Sequence, residues 1–248
     1  RDWSVTGVQT LCSSDLWVAC PGTVGGLLAA RPTGVPRRAL TIDNAAYWIP
    51  EIAAWAGNAP YAVEIRATPG HAPRVRIHGN PWAISYATTD GWRVCAVTPE
   101  GSIGIDAEAI RSHPELGTMI DLAGKSPLMQ HASVEFGWGH AEAFARLWTA
   151  KEAVLKALGV GLSIDPRRVE IESVHEAGCR CVFHDAPLKQ RNRKLRHNAP
   201  SRSWDVHWKR IGAGAAETGS TPTEPSSSQS ARAESTSEAV LAIATAAM

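Results

Sequence analysis

The sequence has no run of about eighteen apolar residues, the length a helix needs to cross a bilayer, so nothing in it reads as a membrane-spanning helix. It has no excess of one charge. With 25 Lys and Arg against 24 Asp and Glu, no whole-molecule field draws in a polyanionic partner, and any such partner is met locally. An even cysteine framework is also missing. Cys12, Cys20, Cys95, Cys179 and Cys181 leave one thiol over in any pairing, and the Cys-Arg-Cys spacing is too tight for a zinc clip. Free thiols in a reducing cytoplasm are the simplest account. No basic segment precedes the apolar stretch WVACPGTVGGLLAARP, which Pro21 and three glycines break, and this reads against a secretory leader. What is present is a chain of 248 residues, enough for one sizeable core or two small ones.

The organisation along the chain is uneven. Residues 1–16, RDWSVTGVQTLCSSDL, carry no periodicity that continues into the next segment; they resemble translated sequencing-adapter sequence and are set aside from the fold. From Arg37 the pattern is globular. Residues 39–55 predict a helix or helix pair interrupted at Pro50. Short strands follow at 61–66 and 74–78 around the turn TPGHAP, and another at 92–97. The stretch 109–140 is weakly patterned, and His113, His131 and His140 read as loop residues too far apart for a metal clip. Further strands are expected at 169–171, 179–183 and 204–208, with a basic loop at 189–202. From Gly212 the composition turns to Gly, Ala, Ser, Thr, Pro and Glu, which predicts disorder, and the closing EAVLAIATAAM is too short to hold as a lone helix.

Two stretches carry chemistry. In SIGIDAE (102–108), strand alternation puts Ile103, Ile105 and Ala107 on one face and Gly104, Asp106 and Glu108 on the other. The two carboxylates then point the same way and repel unless a cation lies between them. Oxygen ligands in such a pair, with a third carboxylate from elsewhere, suit magnesium, which keeps several waters and shares phosphate oxygens. In FARLWTAKEAVLKALGVG (144–161), Phe144, Leu147, Trp148, Val154, Leu155 and Leu158 form one buried helical stripe. Lys151 falls inside that stripe and has to lift its ammonium clear or find an anion. Glu152 and Lys156, four apart, emerge side by side. Each feature alone reads as a solvated strand face or a surface ion pair.

Together, Gly104-Ile105-Asp106-Ala107-Glu108 and, about forty residues on, Trp148-x-x-Lys151-Glu152-x-x-x-Lys156 resemble the signature of the 4'-phosphopantetheinyl transferase superfamily, in its surfactin-synthetase-activating, two-half form. The following Gly-x-Gly-Leu also fits. The sequence departs from the family's Arg-Phe-Phe segment between the two motifs. Tyr86 in PWAISYATTD stands where the family has a histidine, and His71 in GHAP stands where it has a lysine.

The resemblance implies an α+β fold of two similar halves related by a pseudo-twofold with a coenzyme cleft between them, here 17–103 and 104–211, followed by a tail at 212–248. It implies a cytoplasmic, magnesium-dependent monomer that moves 4'-phosphopantetheine from coenzyme A to a serine of an acyl or peptidyl carrier protein, with neither membrane nor nucleic acid as partner. Asp106, Glu108 and Glu152 would hold the metal, Glu152 would take the serine proton and Lys156 would act with it. Lys151, Lys156, Ser85, Tyr86, Thr88, His71 and Arg38 would meet the coenzyme. Two other readings stay open: a degenerate coenzyme-A-binding relative without activity, and a nucleic-acid-binding module using the 189–202 loop.

Overall fold

The computed structural model describes residues 27–32, 44–56, 60–67, 72–99, 101–111, 126–185, 201–212 and 238–246. Among them the chain is α+β, with two sheets and three α-helices. Leu27–Pro32 (β1), Asn44–Trp55 (α1), Val63–Arg66 (β2), Arg74–Ile77 (β3), Asn80–Thr89 (β4) and Trp92–Thr98 (β5) come first. Ile103–Ala109 (β6), Ser126–Phe136 (α2), His140–Ala157 (α3), Val169–His175 (β7), Gly178–His184 (β8), Ser201–Ile211 (β9) and Ala239–Ala246 (β10) follow. The strand orders are β1-β5-β4-β3-β2 and β6-β10-β9-β8-β7, antiparallel throughout. Each sheet has its first strand at an edge beside its last, and its helical segment between its first and second strands.

The pleat of the strands explains the layers. On β5, Cys95 and Val97 face Trp48 and Ile52 of α1, while Val94 and Ala96 face the other way. There they meet Ile103, Ile105 and Ala107 of β6 and Leu241 and Ile243 of β10, so the two sheets pack face to face. The opposite face of β10, Val240, Ala242 and Ala244, meets Phe144, Leu147 and Val154 of α3. The order across the molecule is thus helix, sheet, sheet, helix.

Several expectations change. Composition places Ala239–Ala246 at the end of a disordered tail; it is β10, inserted between β6 and β9 and buried on both faces. A strand covered on both faces reads as a continuous apolar run rather than an alternating one, and this is why VLAIA carries no strand signal. Residues 213–237 lie outside the described residues, as do 1–26. α1 is one helix through Pro50; Pro50 and Ala46, whose carbonyl would accept the missing helical bond, both lie on the exposed side, where solvent access makes that loss cheapest. Pro81–Thr89, the segment that carries Tyr86, belongs to the long strand β4. His131 lies in α2 and His140 opens α3, so neither is a loop residue, while His113 is outside the described residues. Of the basic loop 189–202, residues 189–200 are likewise outside, and 201–202 begin β9. No helix among the described residues is long and apolar enough to cross a membrane.

Candidate active site

The site begins with a close approach of strand and helix. A Cβ built on Gly104 would lie 1.8 Å from the Ala153 carbonyl oxygen, so only glycine lets α3 settle this near β6. Two residues along the strand and three along the helix, Asp106 and Lys156 meet. The Lys156 Nζ donates to Asp106 Oδ1 at 2.6 Å. The Asp106 side chain is 8% exposed and that of Lys156 27%. Glu108, on the same strand face as Asp106, and Glu152, one helical turn before Lys156, are half-buried, and neither is without a polar partner. Among the described residues no group of three or more His, Cys, Asp or Glu is gathered closely enough to hold a metal ion. The expected triad of Asp106, Glu108 and Glu152 is therefore not drawn together as the chain stands, and the cation seated on Asp106 is the Lys156 ammonium. As donors the three still fit magnesium in kind: all offer carboxylate oxygens, and Asp106 already takes a positive charge.

Lys156 also lines a cavity of about 350 Å³ between the two sheets' territories. Pro73, Ser85 and Tyr86 form one wall, and the turn Gly159–Ser163 beyond α3 forms the other. That turn follows from the helix end. Gly159 takes φ +74°, and its N–H donates to the Lys156 carbonyl, while the Val160 N–H donates to that of Leu155. Leu162 is left 59% exposed at the rim.

Ser85 does a second thing. Its Oγ accepts the Ile105 N–H at 3.0 Å, and Thr89 Oγ1 accepts that of Ala109 at 3.1 Å. β6 is an edge strand, so alternate amides have no ladder partner, and two buried hydroxyls of β4 satisfy them on either side of Asp106 and Glu108. Nothing in the sequence singles out Thr89; a threonine in a buried strand carries no signal of what it caps. Thr88, half-buried, points to the face opposite Thr89 and is not on the cavity wall. His71 and Arg38 lie outside the described residues.

Lys151 is placed away from this group. It sits five residues before Lys156, ~140° around the helix, with its Nζ donating to the Pro166 carbonyl at 3.3 Å and 5% of the residue exposed. Asp165 fixes that carbonyl by capping the turn Pro166–Arg168, accepting the Arg167 N–H. The hydrogen-bonded Arg167 guanidinium also holds the Asp165 carboxyl below its usual range. Burial lowers the Lys151 ammonium from 10.5 to about 8, against the opposing pull of Cys181, Asp165 and Glu170. The thiols of Cys179 and Cys181, 3.6 Å apart, are free and buried beside it, and burial raises that of Cys179. Of the two lysines that the resemblance assigns to the coenzyme, Lys151 is thus a buried group on the sheet-facing side of α3.

No curated protein matches the chain. Residues 102–206 match the family model described as the 4'-phosphopantetheinyl transferase superfamily, a span that opens just before β6 and closes within β9, and so includes Gly104, Asp106, Glu108, Glu152 and Lys156. From β6 into β9, then, this chain is similar to the 4'-phosphopantetheinyl transferase superfamily.

Proposed function

We propose that this protein transfers 4'-phosphopantetheine from coenzyme A to a serine hydroxyl of an acyl or peptidyl carrier protein. The observation that carries the reading is the placement of Lys156: within the matched domain, at a cavity wall, and 2.6 Å from the buried carboxylate of the strand motif. The serine oxygen attacks the phosphorus that bears the pantetheine arm, the bond from that phosphorus to the bridging pyrophosphate oxygen breaks, and 3',5'-ADP leaves. Glu152 takes the serine proton, directly or through a water. Lys156 holds phosphate oxygens as a point charge, an interaction worth about 1.5–3 kcal/mol. Ser85 and Tyr86 line the cavity that would receive the coenzyme, and the common strand order of the two sheets supports reading the chain as two similar halves with that cavity between them. Asp106, Glu108 and Glu152 are the residues that would hold magnesium, which when bound would neutralise pyrophosphate charge. The protein would act in the cytoplasm as a monomer.

The test is intact-mass spectrometry of apo carrier proteins incubated with this protein, coenzyme A and magnesium. A gain of one phosphopantetheine unit is expected. With Glu152→Gln the rate should fall by about 10²–10⁴, the usual contribution of a general base. No gain on any of several carriers by demonstrably folded protein would leave a coenzyme-binding module in place of an enzyme.

A further inference from the structure

The Lys156–Asp106 pair occupies the spot where the family reading puts a divalent ion, and its two partners are not equally fixed. Asp106 is held on a strand whose amides at Ile105 and Ala109 are capped from β4. The Lys156 ammonium ends a flexible four-carbon stem, is more than three times as exposed, and borders the cavity. Helix register is locked by the contact of Gly104 with Ala153, so Lys156 reaches Asp106 whenever nothing else draws it off. Resting on the transfer reading, we propose that Lys156 and the divalent ion compete for Asp106. In the free protein the ammonium is the counter-ion of the strand carboxylates. It leaves Asp106 for phosphate oxygens when the coenzyme enters, and the vacated carboxylate then takes the metal. Coulombic repulsion motivates the exchange: an ammonium and a divalent cation crowded on one carboxylate repel, whereas a pyrophosphate beside them accommodates both. Cation and coenzyme would then load together, and the cation alone would load weakly.

Two measurements on the full chain test this without coenzyme or carrier. Mn²⁺ titrated into the free protein, followed by electron paramagnetic resonance, should bind Lys156→Met about tenfold more tightly than wild type, the scale of one charge-assisted contact removed from competition. Lys156→Arg, which keeps the charge, should show no such gain. Equal or weaker binding by a folded Lys156→Met overturns the proposal. Should that variant fail to fold, the wild type decides: Mn²⁺ at concentrations that fill the site in the titration should speed acetylation of Lys156 by an amine-reactive ester, mapped by peptide mass, and leave buried Lys151 unchanged. Slowed or unchanged labelling of Lys156 overturns it equally. The failure of the transfer reading looks different, namely cation binding that Lys156→Met tightens in a protein that modifies no carrier.

Discussion

The two sheets are threaded alike and equipped differently. Both run first-fifth-fourth-third-second, with a helix packed on the face turned away from the other sheet. In α1, NAAYWIPEIAAW, Glu51 is the one charged side chain, and β1, LLAARP, has no carboxylate. In α3, Lys151, Glu152 and Lys156 follow one another within two turns, against a strand carrying Asp106 and Glu108. A single topology therefore serves packing in one case and chemistry in the other. What separates them is how near the helix comes to the edge strand: Gly104 permits a contact that no residue with a Cβ allows. The first sheet contributes support, through hydroxyls that cap β6 and a wall of the cavity.

The most severe way to break the comparison is to delete residues 238–248. The second sheet would lose its strand beside the edge, leaving β6 and β9 without their common partner. Val240, Leu241 and Ile243 alone represent about 1.5–3 kcal/mol each on burial. Their sum approaches the whole stability of an ordinary domain, about 5–15 kcal/mol. The truncated protein should show no cooperative melt by circular dichroism. A native-like melt would mean that the second sheet closes without its fifth strand.

Next in size is Gly104→Ala. Overpacking by one methyl costs about 1–3 kcal/mol where side chains can yield, but here the obstacle is main chain, the Ala153 carbonyl at 1.8 Å. A loss of at least about 3 kcal/mol in denaturant melts is expected, with transfer falling further because Lys156 is moved off Asp106. If stability falls and activity per folded molecule does not, the close approach belongs to packing alone, and α3 is in that respect no different from α1.

Much of the site is legible in the sequence because its residues sit on regular elements. Alternation in SIGIDAE puts Asp106 and Glu108 on the helix-facing side, and a strand is the one geometry in which that pattern buries Ile103 and Ile105. The helical spacing of Glu152 and Lys156 is equally readable. Which way Lys151 points is not: a lysine inside an apolar stripe is compatible with snorkelling into the site or with burial under the sheet, and tertiary packing decides for burial against Pro166. β10 escapes because both of its faces are apolar and it returns from far along the chain; local pattern carries no information about a distant pairing. Thr89 escapes for the same reason, since its partner is a main-chain amide 20 residues on.

The finest distinction between the helices is the buried cation itself, and pH measures it. In the unfolded chain Lys151 titrates at its usual 10.5, and in the fold at about 8, mainly because burial disfavours the charge. Between these values the unfolded chain binds a proton that the folded chain does not, so this residue's contribution to stability rises with pH across that window. Below it the whole penalty is present, about 3 kcal/mol at 1.36 kcal/mol per unit. Lys151→Met removes that penalty along with one bond to Pro166, worth about 1 kcal/mol. The variant should then be about 2 kcal/mol more stable than wild type near pH 7. The advantage should shrink as pH climbs from about 8 toward 10.5. The buried thiols of Cys95 and Cys179, which burial raises, act in the opposite sense, since they ionise first in the unfolded chain. Cys95 is common to both proteins and drops out of the difference, whereas the Cys179 thiol loses the downward pull of Lys151 in the variant, which adds to the closing of the difference at high pH. Urea melts of the pair across this range are the check. A difference that stays flat with pH would show that the ammonium is already solvated, and the sheet-facing side of α3 would be polar where that of α1 is not. A difference that closes would show the reverse: α3 would belong to the core as fully as α1 at this turn, and differ from it where Glu152 and Lys156 emerge.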